Sequence, residues 1–152
     1  MKPGILVTGV VLSAALLAAP TTPMAAAPAD EVTIHEIANV LERPEYASQL
    51  EGVTFYFGDA PHPRVARRIE ADATTSQRSR RFGRSAEESC QWVMLSALIR
   101  LKNQTLANGG NAVINVRSNW DNVEWSSRTQ YKCSAGFLMA GVALKGDMVS
   151  LR

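Results

Sequence analysis

A helix marked at both ends, from Ser85 to Asn108, places the strongest constraint on what this chain can fold into. Ser85 and Glu88 have the spacing of a capping box, and the pair Gly109–Gly110 follows the last helical residue. Six apolar side chains form one broad face of this helix: Cys90, Val93, Met94, Ala97, Leu98 and Leu101. A face of this width predicts that the helix covers a sheet, with Cys90 pointing into the core.

The same helix carries a second, narrower apolar stripe on nearly its opposite side. The stripe consists of Trp92, Leu95, Ile99 and Leu106. Packing on a single sheet would leave it uncovered, so two interpretations remain open. Either an N-terminal helix with Ile34, Ile37 and Leu41, ending before Pro44, lies over the stripe, or the stripe is a candidate interface between subunits. We favour the first.

Apolar alternation predicts four strands around the helix. Val53, Phe55 and Phe57 alternate with polar residues and stop at Gly58. The later strands are predicted over 111–118, with Ala112, Ile114 and Val116 on one side, over 124–133, and from 137 to the glycine at 146. The predicted fold class is therefore α+β, a small β-meander sheet packed against one long helix, with an N-terminal helix.

Residues 1–29 have the three zones of a secretory signal peptide. Lys2 provides a positive start, an apolar run follows, and small residues lead to a predicted cut after Ala29. Residues 30–152 are then expected to form a single domain without a transmembrane segment. The chain has 16 basic and 14 acidic residues, and the cut removes one lysine, so the net charge gives no argument for nucleic-acid binding. We expect a periplasmic or secreted protein.

The chain has two cysteines, Cys90 and Cys133, so only one intramolecular disulfide exists. An oxidising compartment makes this bridge the expected state, and closing a loop of about 43 residues would contribute roughly 4 kcal/mol. Two buried free thiols are the alternative. Because no CxxC or Cys-His spacing accompanies these cysteines, we expect no metal site.

Residues 59–84 are rich in arginine and are predicted to form a mobile connection. Four of the arginines, Arg78, Arg80, Arg81 and Arg84, are candidate anion-binding residues, since guanidinium groups form bidentate contacts with phosphates. Their ligand would be a polyanion or an anionic lipid of the envelope. The alternative is a solvated loop.

One loop offers a candidate catalytic pair. Asp59 and His62 follow a predicted strand and have the residue types of a base with its orienting group, or of a hard-metal site. Asp and Pro are also turn formers, so a structural turn explains the same residues. No nucleophile accompanies the pair, and no catalytic residue or cofactor is predicted.

Several motifs together resemble a family of short exported bacterial proteins often described as excinuclease ATPase subunits. The motifs are Phe55–Asp59 with His62–Pro63, Glu88–Trp92, Gly110–Val113, Cys133–Gly136 and Met139–Asp147. The description itself does not fit this chain, because the sequence has neither a GxxxxGK[ST] phosphate loop nor paired CxxC motifs. An ATPase or excinuclease activity is therefore excluded.

The helix, the Gly-Asn-Ala-Val segment and the Gly-Val-Ala-Leu strand also resemble, more distantly, the RcsF and YbjQ-type fold. In the RcsF pattern a cysteine before the helix core pairs with one at the later strand, which matches Cys90 and Cys133. The lipidated cysteine and the second disulfide of RcsF are missing here, so no signalling role is implied. YbjQ-type proteins resemble ring oligomers and are sometimes called heavy-metal-binding, but this sequence shows no soft-ligand cluster.

The sequence thus predicts an exported, non-catalytic binding or envelope-associated accessory protein, whose partner is an envelope component or polyanion. A small periplasmic hydrolase or metal-binding protein that uses Asp59 and His62 is the alternative. The sequence leaves open whether the protein forms an oligomer.

Overall fold

The computed structural model describes Gly4 and residues 30–152, so the predicted signal peptide, apart from Gly4, lies outside the described residues. The strands are β1 (Glu31–Glu36), β2 (Thr54–Phe57), β3 (Val65–Arg80), β4 (Ala112–Ser118), β5 (Gln130–Ala135) and β6 (Met139–Leu151). The helices are α1 (Ala38–Leu41), α2 (Pro44–Ala47) and α3 (Ala86–Ala107). The α+β class is confirmed.

Strand β6 is the centre of a single mixed sheet. β3 pairs with it antiparallel along one side, while β5 and β4 share its other side, at residues 140–141 and 144–149. β1 extends the sheet beyond β5, and β2 lies parallel to β4. The predicted meander is wrong, because β4 pairs with β6 and not with β5. The 3₁₀ turn Trp120–Asn122 and the segment after it carry the chain across before β5 begins.

Helix α3 packs across the sheet as its sequence predicts. The Ser85 hydroxyl accepts from the Glu88 amide at 3.1 Å, and the Glu88 carboxylate accepts from the Ser85 amide at 3.0 Å, which completes the capping box. All six side chains of the predicted core face are fully buried. They meet side chains of β4, β5 and β6 in one core, among them Val116, Tyr131 and Leu144.

The N-terminal helix is shorter than predicted and begins later. Ile34 lies in β1, where it is 52% exposed, whereas Ile37 is buried just before α1. Residues 31–36 alternate like a strand and pair with β5, so hydrogen bonding to the sheet overrides their helical spacing. Pro44 begins α2, as expected from its fixed φ angle.

The expected mobile connection is largely a strand. Residues 65–80 form β3, which pairs with β6 over its whole length. Its second half alternates: Ala73 and Thr75 are buried, while Thr74 and Arg78 are exposed. The inward side chains are small or polar, so the segment lacks the hydrophobic alternation by which an amphipathic strand is normally found.

Three strand predictions change in detail. β4 has a bulge at Asn115, whose φ is +53°, so Val113 and Val116 both reach the helix-facing core and the predicted side assignment is wrong. β5 begins at Gln130, later than predicted. β6 continues through Gly146, where a Cβ atom would lie 2.8 Å from Val113, so this glycine permits close packing and does not end the strand.

Cys90 of α3 and Cys133 of β5 form the predicted disulfide, and both residues are fully buried. The bridge joins the helix to the sheet. No helix among the described residues is long and apolar enough to cross a membrane.

Candidate functional site

Two loops meet at one end of the sheet. Residues 81–84 connect β3 to α3, and residues 136–138 connect β5 to β6. The Arg81 amide donates to the Leu138 carbonyl at 2.9 Å, and the Arg81 guanidinium donates to the Gly136 carbonyl at 2.6 Å. We call residues 80–84 and 136–139 together the tip.

The tip carries the most exposed large apolar side chains of the described residues. Phe82 is 84% exposed, Phe137 is 88% exposed, and Leu138 and Met139 stand beside them. With the neighbouring arginines they line an open groove of about 670 Å³, a volume typical of ligand sites. A soluble domain rarely exposes contiguous apolar residues of this size unless they contact something.

Three of the four arginines predicted to bind anions lie beside this apolar surface. Arg80, Arg81 and Arg84 line the groove, whereas Arg78 lies against the Trp120 ring at 5.3 Å. Within residues 30–152, none of these four guanidinium groups has a carboxylate within 4.0 Å. Their positive charge is therefore available to an external anion.

One atom of the tip is buried without a partner. In the described part of the chain, Nε of Arg81 is inaccessible to solvent and has no hydrogen-bond acceptor, although another guanidinium nitrogen binds Gly136. A buried charged donor of this kind is costly unless an acceptor reaches it.

Asp30 and Glu88 are acidic residues close to the tip. The Asp30 carboxylate lies against the backbone of Gly136 and, among the described residues, has no arginine within 4.0 Å. The Glu88 carboxylate accepts from the Ser85 amide, and hydrogen bonding with Ser85, followed by the charges of Arg43 and Arg84, lowers the pKa of Glu88. Arg84 itself lies over the Trp92 ring at 5.2 Å. The helix start therefore orients Arg84 without an ion pair.

The two residues of the candidate catalytic pair, Asp59 and His62, contact other groups, and no hydrogen bond joins them among the described residues. The Asp59 carboxylate accepts from Nε of Arg128 at 2.6 Å, and this hydrogen bond lowers the pKa of Asp59. Nδ1 of His62 contacts the Pro63 carbonyl at 2.8 Å, and its ring lies edge-on to Tyr56. Each side chain thus has a structural partner of its own, as the turn interpretation expects.

The apolar stripe on α3 is covered unevenly. Leu95 is buried and Ile99 is half-buried, whereas Trp92 and Leu106 are about 40% exposed. The segment 38–52 lies over this side of the helix, where Arg43 binds Gln91 at 2.8 Å and Lys102 binds the Gln49 carbonyl at 2.7 Å. The predicted cover exists, but it comes from short helices that begin after Ile34. A subunit interface stays a prediction.

A third group of side chains lies at the disulfide. The nitrogen of His35 and the sulfurs of Cys90 and Cys133 all lie within 4.8 Å of one another. Nε2 of His35 is 2.7 Å from the Thr33 hydroxyl, and its ring stacks on Tyr131 at 5.6 Å. Burial lowers the pKa of His35, and the nearby charge of Glu87 opposes this shift. A histidine and two cysteines thus lie together although their sequence spacing does not indicate it, and in the disulfide neither sulfur is free to bind a metal.

Sequence reasoning missed two contributions to these sites. His35 was assigned to a helix, although the alternation of residues 31–36 was a signal for β1. Phe137 and Leu138 were assigned to a strand, whereas they form its preceding turn. A run of apolar residues such as 137–139 is also typical of a buried strand, so Gly136 was the available sign of a turn.

Comparisons of the chain with family models, with curated proteins and with solved structures found no match. The resemblance to short exported proteins and to the RcsF and YbjQ-type fold therefore stays a prediction.

Proposed function

We propose that this protein is an exported, non-catalytic accessory protein of the envelope that docks through its tip on an anionic lipid surface. The observation that carries the proposal is the convergence of exposed Phe82, Phe137 and Leu138 with three arginines that, among the described residues, have no carboxylate within 4.0 Å.

The two kinds of side chain suit a lipid surface for different reasons. Phenylalanine and leucine gain free energy when they leave water for the acyl region, at about 25 cal/mol per Å² of apolar area. Each arginine near an anionic surface adds about 1 kcal/mol. A protein partner with an acidic, apolar groove would contact the same side chains, and the vesicle experiments distinguish the two.

Export also supports the proposal. The signal-peptide pattern of residues 1–29 and the buried disulfide both fit an oxidising envelope compartment. The disulfide lies among the described residues, whereas the signal-peptide pattern, apart from Gly4, lies outside them. The envelope location is therefore part of the proposal.

Vesicle flotation tests the docking. The chain starting at Asp30 retains every helix, strand and core residue described above, and is used for all measurements so that the apolar leader does not contribute. We expect it to float with phosphatidylglycerol-containing vesicles and to stay unbound with phosphatidylcholine alone.

Matched variants locate the contact. R80Q/R84Q leaves the Arg81–Gly136 hydrogen bond intact and should weaken binding roughly thirtyfold, from about 1 kcal/mol per arginine. F82S/F137S should weaken it by a similar factor. R64Q/R152Q removes the same charge at the far end of β3 and β6, and V123S removes an exposed apolar residue away from the tip; both should bind as the parent does.

Equal losses in R80Q/R84Q and R64Q/R152Q would show nonspecific charge attraction and reject the docking site. Absence of binding to anionic vesicles, with capture of an acidic protein through the same residues, would replace the lipid by a protein partner.

A further inference from the structure

Three elements bring side chains that can bind a thiophilic metal together on the helix-facing side of the sheet. His35 comes from β1, Cys90 from α3 and Cys133 from β5. All three ligand atoms lie within 4.8 Å of one another. This cluster lies apart from the tip and has no part in the proposed docking.

The strand register explains the placement of His35. In the antiparallel pair β1–β5, Thr33 lies opposite Cys133 and His35 opposite Tyr131. Opposed residues of such a pair project to the same face of the sheet, here the face that α3 covers with Cys90. The Thr33 hydroxyl and the Tyr131 ring hold the imidazole in place, as outer contacts do for metal-binding histidines.

In the disulfide, each sulfur is bonded to the other and neither offers a thiolate. A dithiol reductant would transfer two electrons and two protons, break the S–S bond and leave two thiols, while becoming a disulfide itself. A zinc ion would then displace the two thiol protons and form two Zn–S bonds and one Zn–N bond.

We propose that reduction of the Cys90–Cys133 bridge opens a site for one thiophilic metal ion, ligated by both thiolates and the His35 imidazole. Two soft sulfurs and one imidazole favour Zn²⁺ over hard cations. Ligand atoms in a tetrahedral zinc site are separated by roughly 3.5–4 Å. The two bonded sulfurs would move apart to this separation on reduction, and the His35 nitrogen already lies within 4.8 Å of both. The described residues supply three ligands, and water completes the fourth position.

The route into the site passes His35. Both cysteines are fully buried, whereas His35 is half-buried on β1, an edge strand that pairs with β5 alone among the described strands. The metal would therefore enter from the sheet edge.

Zinc binding to the reduced protein tests the proposal. A water-soluble phosphine reduces the bridge and, unlike a dithiol, competes weakly for zinc; the phosphine takes oxygen from water and becomes its oxide. Competition with a chromophoric chelator should then show one Zn²⁺ per reduced chain and none for the oxidised chain. Cobalt in place of zinc should give a thiolate charge-transfer band.

The chain offers a matched histidine control. H35Q should bind zinc at least tenfold more weakly than the parent, while H62Q, which alters the exposed histidine against Pro63, should bind within twofold of it. C90S/C133S should not bind. Should the reduced chain unfold, zinc is expected to restore the native near-ultraviolet circular dichroism of the parent and of H62Q, but not of H35Q.

Equal zinc affinity of reduced H35Q and H62Q would overturn the proposal, because an unfolded dithiol would bind without preference for either histidine. Lack of binding by the reduced parent, together with no refolding on addition of zinc, would overturn it as well.

Discussion

Arg117 shows how single side chains hold the face of the sheet that lies away from α3. Its side chain is only 9% exposed and donates to Asp72 at 2.5 Å and to Glu124 at 2.8 Å. Lys145 reaches the same Glu124 carboxylate. These charges connect β3, β4 and β6 to the segment before β5. Asp72 itself lies in a bulge of β3 and has a φ of +56°. The network therefore fixes a region in which the strand register shifts.

The acid stability of the protein should depend on Glu124. Hydrogen bonds from Arg117 and then Lys145 lower the pKa of Glu124 from 4.5 to about 2. Its folded pKa is depressed, so its contribution is complete above pH 4.5 and is lost as the pH falls towards 2. Urea unfolding at several pH values should show E124Q less stable than the parent at pH 6, with the difference closing by pH 2.

E42Q is the control, because within the described chain Glu42 has no cation within 4.0 Å. Its difference from the parent should not change over this pH range. A constant deficit for E124Q from pH 6 to pH 2 would contradict the expected linkage.

Among the elements, those with local signals were predictable and those formed by distant pairing were not. The caps of α3 and the alternation of β2 are encoded within a few residues, and both elements were predicted close to their observed bounds. β1 and β3 exist because β5 and β6 offer hydrogen bonds from 50 or more residues away. The tip follows from the same pairing, so its arginines were recognised, whereas Phe137 and Leu138 from the other loop were not.

The start of α3 should be sensitive to its cap. S85A removes the acceptor of the Glu88 amide and should lower the free energy of unfolding by about 1 kcal/mol. S96A is the matched change within the same helix, since that hydroxyl only donates to the Trp92 carbonyl on the surface. Thermal unfolding of both variants measures the difference, and equal stability of the two would show that the cap contributes nothing.

For the whole molecule, the disulfide is the covalent link between helix α3 and the sheet. It joins residues 43 apart in sequence and encloses most of α3 and all of β4. The pairing was predictable from cysteine number and compartment, but the neighbouring His35 was not, because β1 was assigned as helix. The core itself rests on apolar contacts between α3 and the sheet, so the bridge adds to a core that is already complete.

Removal of the bridge should cost stability without changing the fold. C90A/C133A is expected to lower the free energy of unfolding by about 4 kcal/mol, because the unfolded chain gains loop entropy. Urea titration measures this difference, and vesicle flotation below the transition should be unaffected. A loss under about 1 kcal/mol would show that strain in the bridge offsets its entropic gain.

The length of strand β6 sets the distance between the tip and the opposite end of the sheet. It begins at Met139 in the tip and ends at Leu151, and at about 3.3 Å per residue it spans roughly 40 Å. Arg152, which follows it and binds the backbone of Arg64, lies at the far end. A protein resting on a bilayer by its tip would stand upright, so a fluorophore on Arg152 would sit some 40 Å above the headgroups and a second module joined there would face away from the membrane.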